Sequence, residues 1–319
     1  MDKITHRYVQ VNGLKLHVAE TGSEYSPAVI FLHGFPEIWY TWRHQMIAAA
    51  KGGFRAIAPD FRGYGLSDSP AEPEKALYAD FVNDIASILD SLAISKVFVV
   101  AKDFGVWVAY SFVLLHPHKI AGIITIGMTF MPPVAYKHHV LLPEGFYVRR
   151  WQEPGRAEAD FGRFDVKTVV RNIYILFSKI EIPIASEGQE IMDLVKPLTP
   201  LPSWFTEEDL DNYAALYYKS GFRTALQVPY RQTELNLGPT EQVPIVEAPT
   251  LVIIGEEDYA TKIPGMGEYV RSGEVKKYVP NVETIYVQHG SHFVHEQFPD
   301  QVNQLILTFL NHNKNLAVA

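Results

Sequence analysis

Residues Val97–Tyr110, VFVVAKDFGVWVAY, decide how the rest of the chain is organised. Val97 to Val100 is an apolar, β-branched run of strand type, and the segment from Gly105 reads as an apolar helix. Between them Ala101-Lys102-Asp103-Phe104-Gly105 has to turn sharply. Small residues two before and two after the centre let the strand and helix backbones pass close together, the pattern of a nucleophile elbow. The centre here is Asp103, not a serine. A hydroxyl must lose its proton to attack an acyl carbon, whereas a carboxylate is already ionised near neutral pH. It suits attack on a saturated carbon bearing a leaving group, giving an ester that water then opens. The same residue also reads as a strand-end aspartate capping the helix from Gly105, so the turn alone leaves both roles open.

Outward from this turn, strands and amphipathic helices alternate. Residues 7–20 alternate around Asn12-Gly13, which reads as a hairpin. Ala28–Leu32 is a buried-type strand ending at His33-Gly34-Phe35-Pro36. Phe54–Pro59 is another, ending at Asp60 and the loop FRGYGLSD, whose two glycines lack the third glycine or lysine of a nucleotide site. Residues 78–93 place Phe81, Val82, Ile85, Ile88, Leu89 and Leu92 on one helical face, and Ile120–Ile126 is a further strand. The rhythm stops near Thr129. It resumes at Pro249–Gly255 and Val282–Val287, and closes with a helix carrying Val302, Leu305, Ile306, Phe309 and Leu310. The segment between is helical, aromatic and interrupted by prolines. Its clearest helix is Glu207–Lys219, with Thr206 and Asp209 in capping-box spacing and Gly221 beyond its end. The expected fold is α/β: a mostly parallel central sheet flanked by helices, formed by residues 1–128 and 245–319, with a helical lid inserted at 129–244.

The chain has 319 residues, long enough for one large α/β domain with an insertion or for two domains. With 47 % hydrophobic and 20 % charged residues it has the composition of a globular protein. The formal charge of 28 − 36 = −8, with no basic block, argues against nucleic acid or an anionic membrane as partner. The absence of cysteine excludes disulfides, thiol catalysis and cysteine-based metal sites. The start, MDKITHRYVQVNG, lacks a signal-peptide core, no run reaches membrane-spanning length, and NKNLAVA at the end matches no anchor signal. A cytosolic monomer or homodimer is the expectation.

In doubly wound sheets, reactive groups gather beyond the carboxyl ends of the strands. Asp258 in GEEDYA and His292 in HGSHFVHE follow two such strands, and His33-Gly34-Phe35-Pro36 follows a third. The order Asp103…Asp258…His292 is nucleophile, acid, base, as in the α/β-hydrolase fold. Asp258 would hold the imidazole with one nitrogen free as a base, and the N–H groups of Phe35 and Phe104 would form an oxyanion hole. Each residue alone reads as blandly: a loop histidine is usually a surface or capping group, and Glu256 and Glu257 rival Asp258. The conjunction is what points to catalysis. His289, His292 and His295 at a spacing of three, with Glu296, raise a metal site as a weaker alternative, but that segment spans a strand end and a turn.

HGFPEIWYTWRHQM at 33–46, DFRGYGLSD at 60–68, the Asp-centred elbow, FYVRRWQEPG at 146–155 and GFRTALQVPYR at 221–231 together resemble soluble epoxide hydrolases of the plant type, over essentially the whole chain. The resemblance implies a cofactor-independent hydrolase acting on a lipophilic epoxide and water. It also implies two lid tyrosines that activate the epoxide oxygen, and these fall on Tyr147 and Tyr230. The chemical need is independent of the family: ring opening makes a basic alkoxide, and a phenol of pKa about 10 stays protonated yet can donate. Either tyrosine alone, among seventeen, reads as ordinary lid packing. His33, Glu37, Trp39 and Trp151, in or beside the shared motifs, are expected to bind substrate, and Glu37 resembles a family glutamate that helps order water. The aromatic lid suggests an apolar pocket, and fatty-acid epoxides fit by the same analogy.

Haloalkane dehalogenases share the aspartate but follow it with a halide-binding tryptophan, where this chain has Phe104; fluoroacetate dehalogenases carry an arginine there. A dehalogenase and a low-turnover small-molecule receptor are the two alternative readings on this scaffold. The chain also departs from many epoxide hydrolases, which flank the nucleophile with histidine and tryptophan instead of Lys102 and Phe104. Lys102 either holds Asp103 ionised or points away from the site, and alternation beside the turn favours the second.

Overall fold

In the computed structural model, which describes residues 4–132, 142–181, 183–232 and 244–317, eight strands form one sheet. The strands are β1 (Thr5–Val11), β2 (Leu14–Thr21), β3 (Ala28–Leu32), β4 (Arg55–Pro59), β5 (Val97–Lys102), β6 (Ile120–Ile126), β7 (Thr250–Gly255) and β8 (Val282–Val287). Their spatial order is β1-β2-β4-β3-β5-β6-β7-β8. β1 and β2 form the expected hairpin, with Asn12 and Gly13 both at positive φ, and β2 runs antiparallel to β4. From β4 through β8 every pairing is parallel.

The strand sequences explain why this sheet is covered on both faces. β3, β4, β5, β6 and β7 are buried at every residue and read as near-continuous Val/Ile/Ala runs, as parallel strands between helices do. The covering helices are α1 (Arg43–Lys51), α2 (Tyr78–Ser91), α3 (Gly105–Leu115), α8 (Met266–Arg271), α9 (Val294–Gln297) and α10 (Pro299–His312). α2 and α10 are amphipathic and turn Phe81, Ile85 and Leu89, or Val302, Ile306 and Leu310, to the core. α3 is different: its residues are buried from Gly105 to Val113, so it is a core helix leaving the centre of the sheet. β5, which feeds it, is flanked by β3 and β6.

Between β6 and β7 lie α4 (Tyr147–Gln152), α5 (Arg156–Phe161), α6 (Val166–Phe177) and α7 (Glu207–Tyr217). α7 starts at the expected capping box, Thr206 with Asp209, but stops two residues short of the expected Lys219. Residues 133–141, 182 and 233–243 of the segment expected as a lid, and the two chain ends, lie outside the described residues. Among the described residues no helix is long and apolar enough to cross a membrane.

Candidate active site

The site is built on the turn between β5 and α3. Asp103 takes φ +51°, a left-handed conformation that side chains other than glycine rarely adopt, and this lifts its carboxylate off the end of the strand. The turn works only because its neighbours are small. A Cβ on Gly105 would stand 2.3 Å from the carbonyl oxygen of His33, and one on Gly34 would stand 2.3 Å from the Cβ of Asp103. Gly105→Ala is therefore expected to cost about 1–3 kcal/mol of stability by forcing two backbones apart. Urea unfolding measures this, and an unchanged midpoint would show that the elbow has slack.

The Asp103 carboxylate is divided between two sets of donors. Oδ1 accepts from the backbone N–H of Phe35 at 3.1 Å, and the Phe104 N–H adds its own hydrogen bond to the carboxylate. Oδ2 lies 3.4 Å from Nε2 of His292. The opposite nitrogen of that ring, Nδ1, sits 3.0 and 3.1 Å from the two oxygens of Asp258. Asp258 is fully buried at the end of β7 and also accepts from the Ala260 N–H at 2.9 Å. An ionised carboxylate only accepts, so Nδ1 carries a hydrogen and Nε2 is the nitrogen that exchanges a proton with the cavity.

The charges around this trio are balanced. Burial by itself would raise the Asp103 carboxyl, but His292 by hydrogen bond and charge, then Lys102 by charge, bring it down to about 2. Burial pulls His292 down, yet Asp258 and then the Asp103 hydrogen bond outweigh it and Lys102, carrying the imidazole up to about 9. At neutral pH the resting arrangement is thus an imidazolium between two carboxylates. An ester on Asp103 would remove that charge and with it one support of the imidazolium.

Above the trio is a cavity of about 690 Å³ bounded by Asp103, His292, Tyr147, Tyr230, Tyr259 and Phe104, among others. Tyr147, at the start of α4, and Tyr230 are both buried, with ring centres 6.1 Å apart. Burial, with the nearby charge of Asp103 among the causes, pushes both phenols above their ordinary range, so each is a protonated donor at neutral pH.

Four residues expected to bind substrate do not line this cavity. His33 is buried, with Nδ1 on the Gly34 carbonyl and Nε2 accepting from the Phe61 N–H, and burial lowers it to about 4; it is a neutral brace for two loops. Trp39 gives its backbone N–H to Asp60 Oδ1 and packs its ring on His6 and Tyr40. Trp151 stands behind the tyrosines, 5.0 Å from each ring. Glu37 is buried beside the elbow, where Oε2 accepts from the Gly34 N–H and Oε1 meets Lys102 Nζ at 2.7 Å. Lys102 is paired with Glu37, yet its charge still helps to hold Asp103 down, and it does not reach solvent: it is fully buried over the Phe293 ring.

The three spaced histidines go to three different places. His289 is exposed beside Glu257, His292 is in the trio, and His295 is buried against Thr41. Glu37, His295 and Glu296 do lie close together, but Lys102 and Arg43 already stand against the two carboxylates at 2.7 and 2.6 Å. Glu296 is a junction: it accepts from Thr41 and Arg43 of the sheet side, and from Tyr174 of α6 and Tyr213 of α7. Two features were missed from sequence. The Lys102–Glu37 pair had no signal beyond the unusual lysine, whereas Tyr259, directly after Asp258, was placed by its neighbour at a strand end.

A sheet of this order with an aspartate at its central turn and a second aspartate and a histidine at neighbouring strand ends defines a class, and the chain belongs to the alpha/beta hydrolase fold family, whose model matches residues 27–299. Within it the chain groups with plant epoxide hydrolases. It is 38 % identical to epoxide hydrolase 1 of Siraitia grosvenorii, over 97 % of this chain and 99 % of that one. An epoxide hydrolase structure from Vigna radiata superposes with TM-score 0.90 at 36 % identity, covering 98 % of this chain and 99 % of that one. A variant of potato epoxide hydrolase gives 0.87 at 33 %, covering 97 % and 100 %.

Proposed function

We propose that this protein hydrolyses lipophilic epoxides to vicinal diols through an ester on Asp103, and that residues 129–244 form the lid carrying the two activating tyrosines. One observation carries the reading most: a carboxylate at an elbow, with its conjugate base assembly, faces the same cavity as two buried phenols. Serine chemistry has no nucleophile here, and a halide would need no pair of phenolic donors.

Oδ2 of Asp103 attacks an epoxide carbon as the ring C–O bond breaks, and Tyr147 and Tyr230 share the developing alkoxide, one of them giving it a proton. With the ester formed, His292 releases its resting proton to solvent and, now neutral, takes a proton from water, and the hydroxide adds to Cγ of Asp103. The Phe35 N–H already donates to Oδ1, and with the Phe104 N–H beside the same carboxylate this supports an oxyanion hole for the tetrahedral intermediate. Collapse breaks the ester, His292 protonates the departing oxygen, and the proton left over from water restores the phenol. The diol leaves, Asp103 is a carboxylate again, and His292 regains its resting proton from solvent.

The test is the intact mass of His292→Gln after exposure to styrene oxide, a long-chain alkyl epoxide and bromohexane. Without the base, ring opening continues while ester hydrolysis stalls, so a covalent gain equal to a whole epoxide accumulates. Asp103→Ala in the same background should abolish it. An adduct with bromohexane alone would make the protein a dehalogenase, and no adduct from a folded protein would overturn the covalent mechanism.

A further inference from the structure

We propose that Tyr259 is a positioning residue for ring opening: its hydroxyl donates to the oxygen of Tyr147 and so directs the Tyr147 proton at the epoxide. The inference rests on the reading above, in which Tyr147 is a proton donor.

The two hydroxyl oxygens are 2.9 Å apart, and among the described residues Tyr259 is the hydrogen-bond partner of Tyr147. Tyr259 is held firmly. It is buried, follows Asp258 in the chain, and its ring lies 5.0 Å from the rings of both His292 and Phe177. A pair of phenols has two protons but one shared hydrogen bond, so one proton lies between the oxygens and the other is free. If Tyr147 donated to Tyr259, its proton would be committed away from the substrate. If Tyr259 donates, the Tyr147 proton is left for the cavity that both rings border.

The reaction selects the second arrangement. As the epoxide C–O bond breaks, the new alkoxide takes the Tyr147 proton and negative charge moves onto the Tyr147 oxygen. A donor already aimed at that oxygen binds more tightly as the charge grows, which is stabilisation realised in the transition state and not before it. Tyr147 recovers its proton from the one released in ester hydrolysis, so Tyr259 neither gains nor loses a proton over the cycle. The electrostatics agree in sign: burial and Asp103 raise Tyr147, while the bond from Tyr259 lowers it, and the same bond raises Tyr259.

Tyr259→Phe keeps the ring between His292 and Phe177 and removes only the hydroxyl. With styrene oxide in single turnovers, rapid quenching and intact mass follow ester formation and ester loss separately. Ester formation is expected to slow about tenfold with ester hydrolysis unchanged. In a Tyr147→Phe background the second change should add nothing, because its target is gone. Equal losses in both backgrounds, an unchanged ring-opening rate, or slowed ester hydrolysis would each overturn the proposal. If Tyr147→Phe itself left ring opening untouched in an enzyme that consumes styrene oxide, the donor role of Tyr147 would fall instead, a separate and recognisable result.

Discussion

Asp103→Gly is expected to lose turnover by about 10⁴-fold or more, yet to melt no lower than the parent protein at about pH 9.5. The first half follows from chemistry, since glycine offers no oxygen to attack carbon. The second follows from the backbone. At φ +51° Asp103 sits where a side chain costs about 1–2 kcal/mol and glycine costs nothing of that kind. Glycine's greater freedom in the unfolded chain takes back about 0.5–1 kcal/mol. The lost hydrogen bonds from Phe35 and Phe104 are matched by relief from burying a carboxylate only where His292 is neutral, above about pH 9, because His292 is the chief group that brings Asp103 down to about 2.

The sign with pH can be worked out. His292 is held up to about 9, above its ordinary value, so its pairing with Asp258 and Asp103 adds stability that is fully present below about 6.5 and lost as pH rises through about 9. The variant forfeits part of that contribution. Its advantage should therefore be smaller at pH 6 than at pH 9.5. Retained turnover would remove Asp103 as nucleophile, and a fall in stability at both pH values would show that the turn stores no strain.

Lys102→Met should be the most damaging single change away from the reacting atoms, costing about 3–5 kcal/mol near pH 8. Lys102 and Glu37 are both 0 % exposed and 2.7 Å apart, so removing one leaves the other's charge in the core. Glu37 feels this already: burial pushes its carboxyl up to about 7 even though Lys102 pulls the other way. A carboxyl raised in the folded state favours folding below about 4.5 and loses that support as pH rises through about 7. Without Lys102 the rise is larger. The deficit of the variant should therefore grow from pH 5 to pH 8. Adding Glu37→Gln should restore most of the stability, since a buried pair replaced on both sides is often nearly neutral. Urea unfolding of the two single variants and the double across that range gives the cycle. A Lys102→Met protein as stable as the parent at pH 8 would mean that the pair is not closed in solution.

What was legible in the sequence is what depends on local chain geometry. The elbow, the hairpin at Asn12-Gly13 and the strands ending at Leu32, Pro59, Gly255 and Val287 are set by short-range patterns, and the structure has them at those residues. The order Asp103, Asp258, His292 then brings three side chains within hydrogen-bond or ion-pair range because strand ends share one edge of the sheet. Side-chain direction is a different matter. His33, Trp39 and Trp151 stand beside the site in sequence but face loops or neighbouring rings, and their direction is decided by what packs over them. Lys102 illustrates the limit well: alternation says that it turns away from its neighbour, but not that Glu37 waits there. Tyr259 was passed over because its meaning lies in a residue 112 positions earlier in the chain, Tyr147.

The junction at Glu296 sets a boundary on how this protein can be altered. Tyr174 and Tyr213, from the helices over the sheet, converge on one carboxylate whose other oxygen is taken by Arg43. None of these four residues borders the cavity. The fastening of the two layers and the shape of the reaction chamber are thus under separate control. Residues such as Met128, Leu142, Val148 and Ile263 on the chamber wall can be exchanged to suit a different molecule while the joint is left alone. An engineer has a free hand on one side of the protein, and should keep hands off four residues on the other.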